Sequence, residues 1–198
     1  AVASGSNSNL VTADIDNSLD AIENSEIVLM QLEIPIKTIE YAAQIAKSRG
    51  KMVILNPAPA PTEPLPLSIL KNIDLITPNE TEAELISGIP VVDEPSAIAA
   101  AKRMAELGVK KIIITMGSKG AMLYEDGEAE LIPSIRVKAV DTTAAGDCFN
   151  GALTIAISEG RSLKEAVLFA NRAAAISVTR PGAQVSMPYR HEVDVANF

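Results

Sequence analysis

The sequence contains one cysteine, one histidine and no tryptophan among its 198 residues. The single Cys148 excludes a disulfide within the chain and fits a reducing compartment. The single His191 leaves little material for a histidine-based triad or a histidine-rich metal site. No apolar run approaches the ~20 residues of a membrane span, and no secretory signal pattern opens the chain. These absences predict a soluble, cytoplasmic protein in which Cys148 is a small apolar filler and His191 lies on the surface.

The chain also has few cations. It carries 17 Lys and Arg residues against 25 Asp and Glu residues, which gives a net charge of −8. Without surplus positive charge a protein cannot neutralise many phosphates, so we expect neither a nucleic-acid partner nor an anionic membrane partner. Backbone N–H groups and Mg²⁺ can still bind a nucleotide. The apolar fraction of 47% is that of an ordinary globular domain.

Apolar runs of strand length alternate with segments of helical periodicity along the first 115 residues. Strands are predicted at 26–32, 51–55, 73–76 and 111–115, and helices at 12–23, 35–49, 79–87 and 95–107. Thr12 is the predicted cap of the first helix. This alternation predicts an α/β fold of three layers, with a mainly parallel sheet between helices.

The pattern changes after Ala121. Residues Asp126 and Gly127 predict a hairpin turn, and helices are expected at 145–158 and 163–178. Ser162 and Glu165 form a capping box at the start of the second of these helices. No linker divides the chain, so residues 1–198 are predicted to belong to a single domain.

The segment VDTTAAGDCFNG, Val140–Gly151, contains small residues at the start of a helix. The N–H groups and the dipole of a helix N-terminus bind phosphate, and Asp147 in the first turn could accept a proton from an attacking hydroxyl. Acidic residues also occur there simply to complement the dipole, so spacing alone leaves both interpretations open. Since alanine adopts positive φ only at a cost, we expect Ala144 to have an ordinary helical or bridging conformation.

The same segment resembles the signature D-T-x-G-A-G-D-x-F-x-G-A of the PfkB, or ribokinase-like, carbohydrate kinases. The matching residues are Asp141, Thr142, Ala145, Gly146, Asp147, Phe149, Gly151 and Ala152. Ala144 stands where the family usually has its first glycine. The resemblance implies that Asp147 is the base that activates the sugar hydroxyl. It also implies that the N–H groups of Ala145, Gly146 and Asp147 form an anion hole for the transferring phosphoryl group.

A second motif, TPNETEAE, resembles the N-x-x-E motif of the family. The resemblance implies that Asn79 lies near the ATP phosphates and that Glu82 takes part in the Mg²⁺-phosphate network. Three carboxylates within five residues favour a role linked to magnesium. Asn79 and Glu82 also have the spacing of a capping box, and both interpretations can hold together.

A third motif, TMGSKG, resembles the nucleotide loop T-x-G-x-x-G of the family. It assigns Thr115, Gly117, Ser118 and Gly120 to ATP binding. Asn171 matches the family residue that contacts the adenine end of ATP. The alternatives are a turn that needs glycine after a strand and a solvent-exposed asparagine on a helix.

The stretch SVTRPGAQVS resembles the part of ribokinase-like proteins that supplies carbonyl groups to a monovalent cation. The implied K⁺ set is Asp141, Thr143, Ser177, Arg180, Gly182 and Ser186. Loop carbonyls with one carboxylate suit a hard cation of this kind. The alternative is a helix C-terminal loop, ended by Pro181 and Gly182, without an ion.

The acceptor is implied by two further features. Glu33 matches a family residue that contacts the sugar, although it could also be a surface residue before Pro35, and the run ILNPAPA is typical of the ribose-specific branch. The resemblance therefore implies ATP-dependent phosphorylation of D-ribose to ribose 5-phosphate. Another sugar or nucleoside kinase, or a non-catalytic nucleotide-binding fragment, stays open.

The resemblance runs along nearly the whole chain but only onto the C-terminal portion of the family's kinase domain. Family members begin with further strands, a β-sheet lid and a glycine-rich sugar motif that this sequence lacks. A parallel sheet without its neighbouring strands would leave an open edge, so we expect the natural protein to be longer. A homodimer through the lid is a further expectation from the resemblance.

Overall fold

The strands of the computed structural model, which describes residues 5–196, form one six-stranded sheet in the order β1-β2-β3-β4-β5-β6. The strands are β1 (Ile27–Met30), β2 (Met52–Leu55), β3 (Leu75–Ile76), β4 (Lys111–Thr115), β5 (Ala121–Glu125) and β6 (Glu128–Ile132). Strands β1 to β4 pair in parallel, with Leu29 opposite Ile54 and Ile76 opposite Ile112. The mainly parallel sheet of the predicted α/β fold is confirmed.

The parallel strands are apolar along their length because both of their faces are covered. Val53, Ile54 and Leu55 in β2 have no exposed surface, and neither do the three consecutive isoleucines of β4. By contrast, β6 alternates exposed glutamates with more buried residues. The hairpin between β5 and β6 turns at Asp126 and Gly127, both of which have positive φ, as a two-residue hairpin turn requires.

The helices are α1 (Thr12–Asp16), α2 (Leu19–Glu23), α3 (Ile36–Ser48), α4 (Leu67–Leu70), α5 (Glu80–Ser87), α6 (Glu94–Glu106), α7 (Ala145–Ser158), α8 (Leu163–Ser177) and α9 (Arg190–Val195). The buried residues of α3 recur at helical spacing and are Thr38, Ile39, Ala42, Ala43 and Ala46. Short 3-10 helices lie at Gly5–Asn9, Gly117–Lys119 and Gln184–Ser186. No helix among residues 5–196 is long and apolar enough to cross a membrane.

Two compact units divide the described residues. The first unit runs to Thr115 and includes Met122–Glu130, and the second contains Met116–Ala121 and the residues from Leu131 onward. The first unit holds the parallel strands with α1 to α6. The second unit holds α7, α8 and α9, and α7 packs along α8. The assignment of residues 1–198 to a single kinase domain stays a prediction.

A side-chain hydrogen bond accounts for the difference between the first predicted helix and the structure. The helix predicted over 12–23 is two helices, because the Ser18 hydroxyl donates to the carbonyl of Asp14 at 2.8 Å and competes with the helical bonds. Thr12 is not the cap: Val11 precedes the helix, and its N–H donates to the Asp14 carboxylate. The third strand is shorter than predicted.

The burial of Cys148 and the exposure of His191 agree with the sequence predictions. Cys148 is buried, with 7% of its surface exposed, and His191 is exposed on α9.

Gly120 lies against a neighbouring backbone segment. It has φ of +110°, and a Cβ there would lie 2.1 Å from the carbonyl oxygen of Ile132. Gly127 has φ of +89°, but a Cβ there would meet nothing within 4 Å. Alanine at Gly127 carries backbone strain of about 1–2 kcal/mol. Gly120, with ψ of −141°, lies close to a backbone region that is essentially restricted to glycine, and only Gly120→Ala adds a clash.

We expect Gly120→Ala to lower the free energy of unfolding by about 2 kcal/mol more than Gly127→Ala, because overpacking against backbone is costly. Urea denaturation of the two variants measures the difference. Equal losses of unfolding free energy in the two variants would show that the backbone at Ile132 shifts to make room for a methyl group.

Candidate active site

The loop before α7 is held by the carboxylate of Asp141. Its Oδ1 accepts hydrogen bonds from the N–H of Thr143 at 2.9 Å and from the Thr143 hydroxyl at 2.7 Å. Its Oδ2 accepts from the N–H of Gly182 at 2.8 Å. These three donors lower the pKa of Asp141 to about 2. The ionised carboxylate thus joins the loop before α7 to the loop after α8.

Ala144 has a left-handed conformation, with φ of 58° and ψ of 16°. The expectation of an ordinary helical or bridging conformation is therefore wrong. Asp141 fixes Thr143, and the N–H of Ala145 donates to the carbonyl of Thr142 at 3.2 Å, so the chain turns into α7 with Ala144 at positive φ. The strain is about 1–2 kcal/mol for a residue with a Cβ. It also explains why glycine suits this position.

The first turn of α7 places Ala145, Gly146 and Asp147 in sequence. The first helical hydrogen bond runs from the N–H of Cys148 to the carbonyl of Ala144 at 2.9 Å. N–H groups at a helix start have no acceptor within the helix, although that of Ala145 is engaged by Thr142. Gly146 and Asp147 are exposed, and a Cβ at Gly146 would meet nothing within 4 Å. A ligand can therefore approach the backbone of this turn beside the Asp147 carboxylate.

The residues that follow the first turn of α7 are buried. Cys148, Phe149 and Asn150 are each less than 8% exposed. Burial raises the pKa of the Cys148 thiol, which is hydrogen-bonded to Ser177 of α8. The thiol is consequently protonated and acts as packing between the two helices.

The six residues predicted for a monovalent cation lie in two loops and the end of α8. Asp141, Thr143 and Gly182 are in direct contact, whereas the hydroxyls of Ser177 and Ser186 donate to the carbonyls of Ala174 and Ala183. A cation at this place would rely on loop carbonyls and the ionised Asp141. Within residues 5–196 no three His, Cys, Asp or Glu side chains are grouped so as to hold a metal ion.

The Arg180 side chain is directed to Glu192 of α9, with Nη2 at 2.5 Å from Oε1. The ion pair lowers the pKa of Glu192 and raises that of Arg180. Glu192 balances the positive charge of the Arg180 guanidinium. That charge therefore does not repel a cation bound near the Arg180 backbone.

The predicted nucleotide loop and Asn171 are connected by the segment that follows β6. The hydroxyl of Ser134 donates to the carbonyl of Ser118 at 2.6 Å, and the Asn171 amide donates to the carbonyl of Pro133 at 3.3 Å. Asn171 is half-buried rather than simply exposed. In the second unit, the predicted nucleotide loop and Asn171 are therefore hydrogen-bonded to two adjacent residues, Ser134 and Pro133.

In the first unit, Asn79 and Thr115 are adjacent at the carboxyl ends of β3 and β4. They form an isolated parallel bridge, and the N–H of Thr115 donates to the carbonyl of Pro78 at 2.9 Å. Ligands of open α/β sheets bind at this end of the strands. Thus two residues that separate motifs assign to ATP binding lie side by side.

The capping box at Asn79 is fully formed. The Glu82 carboxylate accepts from the Asn79 N–H at 2.8 Å and from its amide at 2.9 Å, while the N–H of Glu82 donates to the Asn79 side chain at 2.9 Å. Glu82 is 4% exposed, and burial raises its pKa although the bonds from Asn79 oppose the shift. The predicted capping box is therefore present in the structure, and the magnesium role stays a prediction.

Asn56 is a polar residue at the same edge that the sequence interpretation missed. It is 7% exposed, its amide donates to the carbonyl of Thr77 at 2.9 Å, and it lies 3.5 Å from the Gln31 amide nitrogen. It joins the ends of β1, β2 and β3. The available signal was a polar residue directly after a buried strand.

Glu33, after β1, is exposed and 3.5 Å from the Asn7 amide nitrogen.

Comparison with known proteins shows the family of this chain. The model of the pfkB family carbohydrate kinases matches residues 2–190. The ribokinase of Haemophilus influenzae is 48% identical, over 96% of this chain and 62% of the relative. The solved ribokinase of Thermotoga maritima is 42% identical with a TM-score of 0.88, over 98% of this chain and 63% of that one.

A third relative, the ribokinase of Arabidopsis thaliana solved with ribose and ATP, is 37% identical with a TM-score of 0.86. It is matched over 90% of this chain and 57% of its own length. The chain thus spans less than two thirds of each of these relatives. The resemblance inferred from the motifs is confirmed, and the chain belongs to the pfkB family of carbohydrate kinases.

Proposed function

We propose that the protein transfers the γ-phosphoryl group of ATP to the primary hydroxyl of D-ribose and produces ribose 5-phosphate. The observation that carries the proposal is the first turn of α7, where the exposed Asp147 carboxylate adjoins the open backbone of Gly146. The similarity to ribokinases, one of them solved with ribose and ATP, supports ribose as the acceptor.

In the proposed reaction, Asp147 acts as the general base. A new bond forms between the sugar hydroxyl oxygen and the γ-phosphorus, the bond from that phosphorus to ADP breaks, and the hydroxyl proton passes to the Asp147 carboxylate. The N–H groups of Gly146 and Asp147 stabilise charge on the transferring group, and the N–H of Ala145 contributes as a shared donor, because it also donates to the Thr142 carbonyl. Such preorganised donors are a large source of rate enhancement in dry sites.

We assign the remaining predicted residues to substrate binding. Glu33 contacts the sugar. The ATP-binding residues are Asn79, Glu82 and Thr115 of the first unit, and Gly117, Ser118, Gly120 and Asn171 of the second. Mg²⁺, when bound with ATP, neutralises phosphate charge. The adjacency of Asn79 and Thr115, and the bonds that tie Ser118 and Asn171 to Ser134 and Pro133, support this assignment.

We further propose a structural K⁺ near Asp141, bound by that carboxylate and by carbonyls of the two loops and the end of α8, which contain Thr143, Ser177, Arg180, Gly182 and Ser186. Support comes from the ionised state of Asp141 and from the pairing of Arg180 with Glu192. Electrostatic attraction then favours a hard cation among loop oxygens.

Asp147→Asn in the full-length protein tests the base. We expect kcat for ribose to fall about 100-fold or more, because a positioned base contributes at least that much, with ATP affinity retained. Asp126→Asn in the hairpin turn is the control, because asparagine tolerates the positive φ of that residue. A fall of less than about tenfold for Asp147→Asn would remove it from the base role.

The acceptor is tested with a panel of ribose, deoxyribose, fructose and adenosine. The proposal predicts the highest kcat/KM with ribose. A better acceptor in the panel would make the protein a different kinase of the family. ATP binding without turnover on any of the four would identify a non-catalytic nucleotide-binding protein.

Glu82→Gln separates capping from nucleotide binding. The variant keeps one of the two acceptor oxygens but turns an NH2 group towards the other donor of Asn79, so we expect the free energy of unfolding to fall by about 1–3 kcal/mol. Loss of the charge should raise KM for Mg-ATP several-fold. The control for the charge change is Glu165→Gln, since Glu165 accepts from Ser162 in an exposed capping box on α8. An unchanged KM for Mg-ATP would leave Glu82 with the capping role alone.

The low pKa of Asp141 predicts a pH dependence of stability. A carboxyl group whose pKa is lowered on folding from 3.8 to about 2 stabilises the protein above pH 3.8, and the contribution is lost as pH falls towards 2. We therefore expect the stability difference between the wild type and Asp141→Asn to shrink over this window. Chemical denaturation at several pH values measures it.

Thr143→Val, which removes one of the three donors to Asp141, should give an intermediate result. A stability difference between the wild type and Asp141→Asn that does not vary with pH would show that the hydrogen bonds to the ionised Asp141 do not stabilise the fold.

A further inference from the structure

We infer that Asn150 is a positioning residue for the proposed phosphoryl transfer and acts by fixing the peptide group between Gly146 and Asp147. The inference rests on the proposed function. Asn150 lies in the second turn of α7, is 3% exposed, and donates its side-chain amide to the carbonyl oxygen of Gly146 at 2.9 Å. No role for this residue follows from the motifs that identified the site.

One peptide group carries both the acceptor of this bond and a proposed donor of the anion hole. The carbonyl of Gly146 and the N–H of Asp147 belong to a single planar unit and point in opposite directions. A hydrogen bond to the oxygen therefore fixes the direction of the N–H. It also polarises the group, which strengthens the N–H as a donor. The same peptide sets the backbone from which the Asp147 carboxylate extends.

Stability alone gives little reason for a buried amide at this place. Asparagine is a poorer helix former than alanine or leucine, and its amide must be desolvated when the helix is buried. The neighbouring buried positions hold Cys148, Phe149 and Leu153, so an apolar side chain would suit the packing. What asparagine adds is a donor directed towards the first turn of the helix.

Thr154 makes a comparable bond one turn further along α7. Its hydroxyl donates to the carbonyl of Asn150 at 2.8 Å, away from the first turn. Thr154→Val removes a donor of the same kind without touching Gly146. It is therefore a matched control for the general effect of a side-chain bond on this helix.

The decisive comparison is between Asn150→Thr and Asn150→Val in the full-length protein. The two side chains have the same shape, but only threonine carries a hydroxyl, which in a helix donates to the carbonyl four residues earlier. We expect kcat for ribose to fall about tenfold in Asn150→Val, less than the loss of an anion-hole donor itself. Asn150→Thr should regain most of it, with KM for ATP changed less than twofold in both. Asn150→Ser and Asn150→Ala repeat the comparison with smaller side chains if the branched pair fails to fold.

A spectroscopic measurement separates positioning from general destabilisation. The ¹³C shift of the Gly146 carbonyl and the ¹⁵N–¹H shift of the Asp147 amide should move in Asn150→Val, and should stay near the wild-type values in Asn150→Thr and Thr154→Val. Equal kcat in Asn150→Val and Asn150→Thr, or unmoved shifts in Asn150→Val, would overturn the inference. A wild-type protein without turnover on any acceptor would instead overturn the proposed function.

Discussion

The three hydrogen bonds to the Asp141 carboxylate are the constraint on which the second unit's site depends. One of them joins residues 41 positions apart in the sequence, and the other two fix the loop that enters α7. Directly after the held Thr143, Ala144 adopts a left-handed conformation at the start of the helix. Backbone strain of this kind persists where surrounding bonds over-determine the conformation, and it concentrates at functional sites. The exposed turn at Gly146 and Asp147 follows from this geometry.

Buried polar side chains organise both units in the same way. Asn56 and Glu82 in the first unit, and Asn150 in the second, are each less than 8% exposed and hydrogen-bonded to backbone groups beside predicted ligand-binding residues. A satisfied buried polar group specifies one arrangement because any other arrangement leaves it without a partner. These residues therefore set the backbone at the ends of strands and at the start of α7.

The hydrophobic pattern and local capping signals predicted most of the fold. The consecutive apolar residues of β2 and β4 indicated parallel strands, and Asp126-Gly127 indicated the hairpin. Asn79 with Glu82, and Ser162 with Glu165, formed the capping boxes that their spacing predicted. The prediction failed at Ser18, whose hydroxyl interrupts a helix that periodicity alone would continue. Such competition depends on one rotamer and has no periodic signature.

The sequence by itself determined the α/β class, the order of its elements and the family, since these depend on residue periodicity and on motifs of neighbouring residues. Only the tertiary structure decided the left-handed Ala144, the bond from Asp141 to Gly182 and the contact of Asn171 with Pro133. The partners in these contacts lie 41 and 38 positions apart. Their pairing depends on how helices and loops meet in space, and no local spacing in the chain encodes that distance.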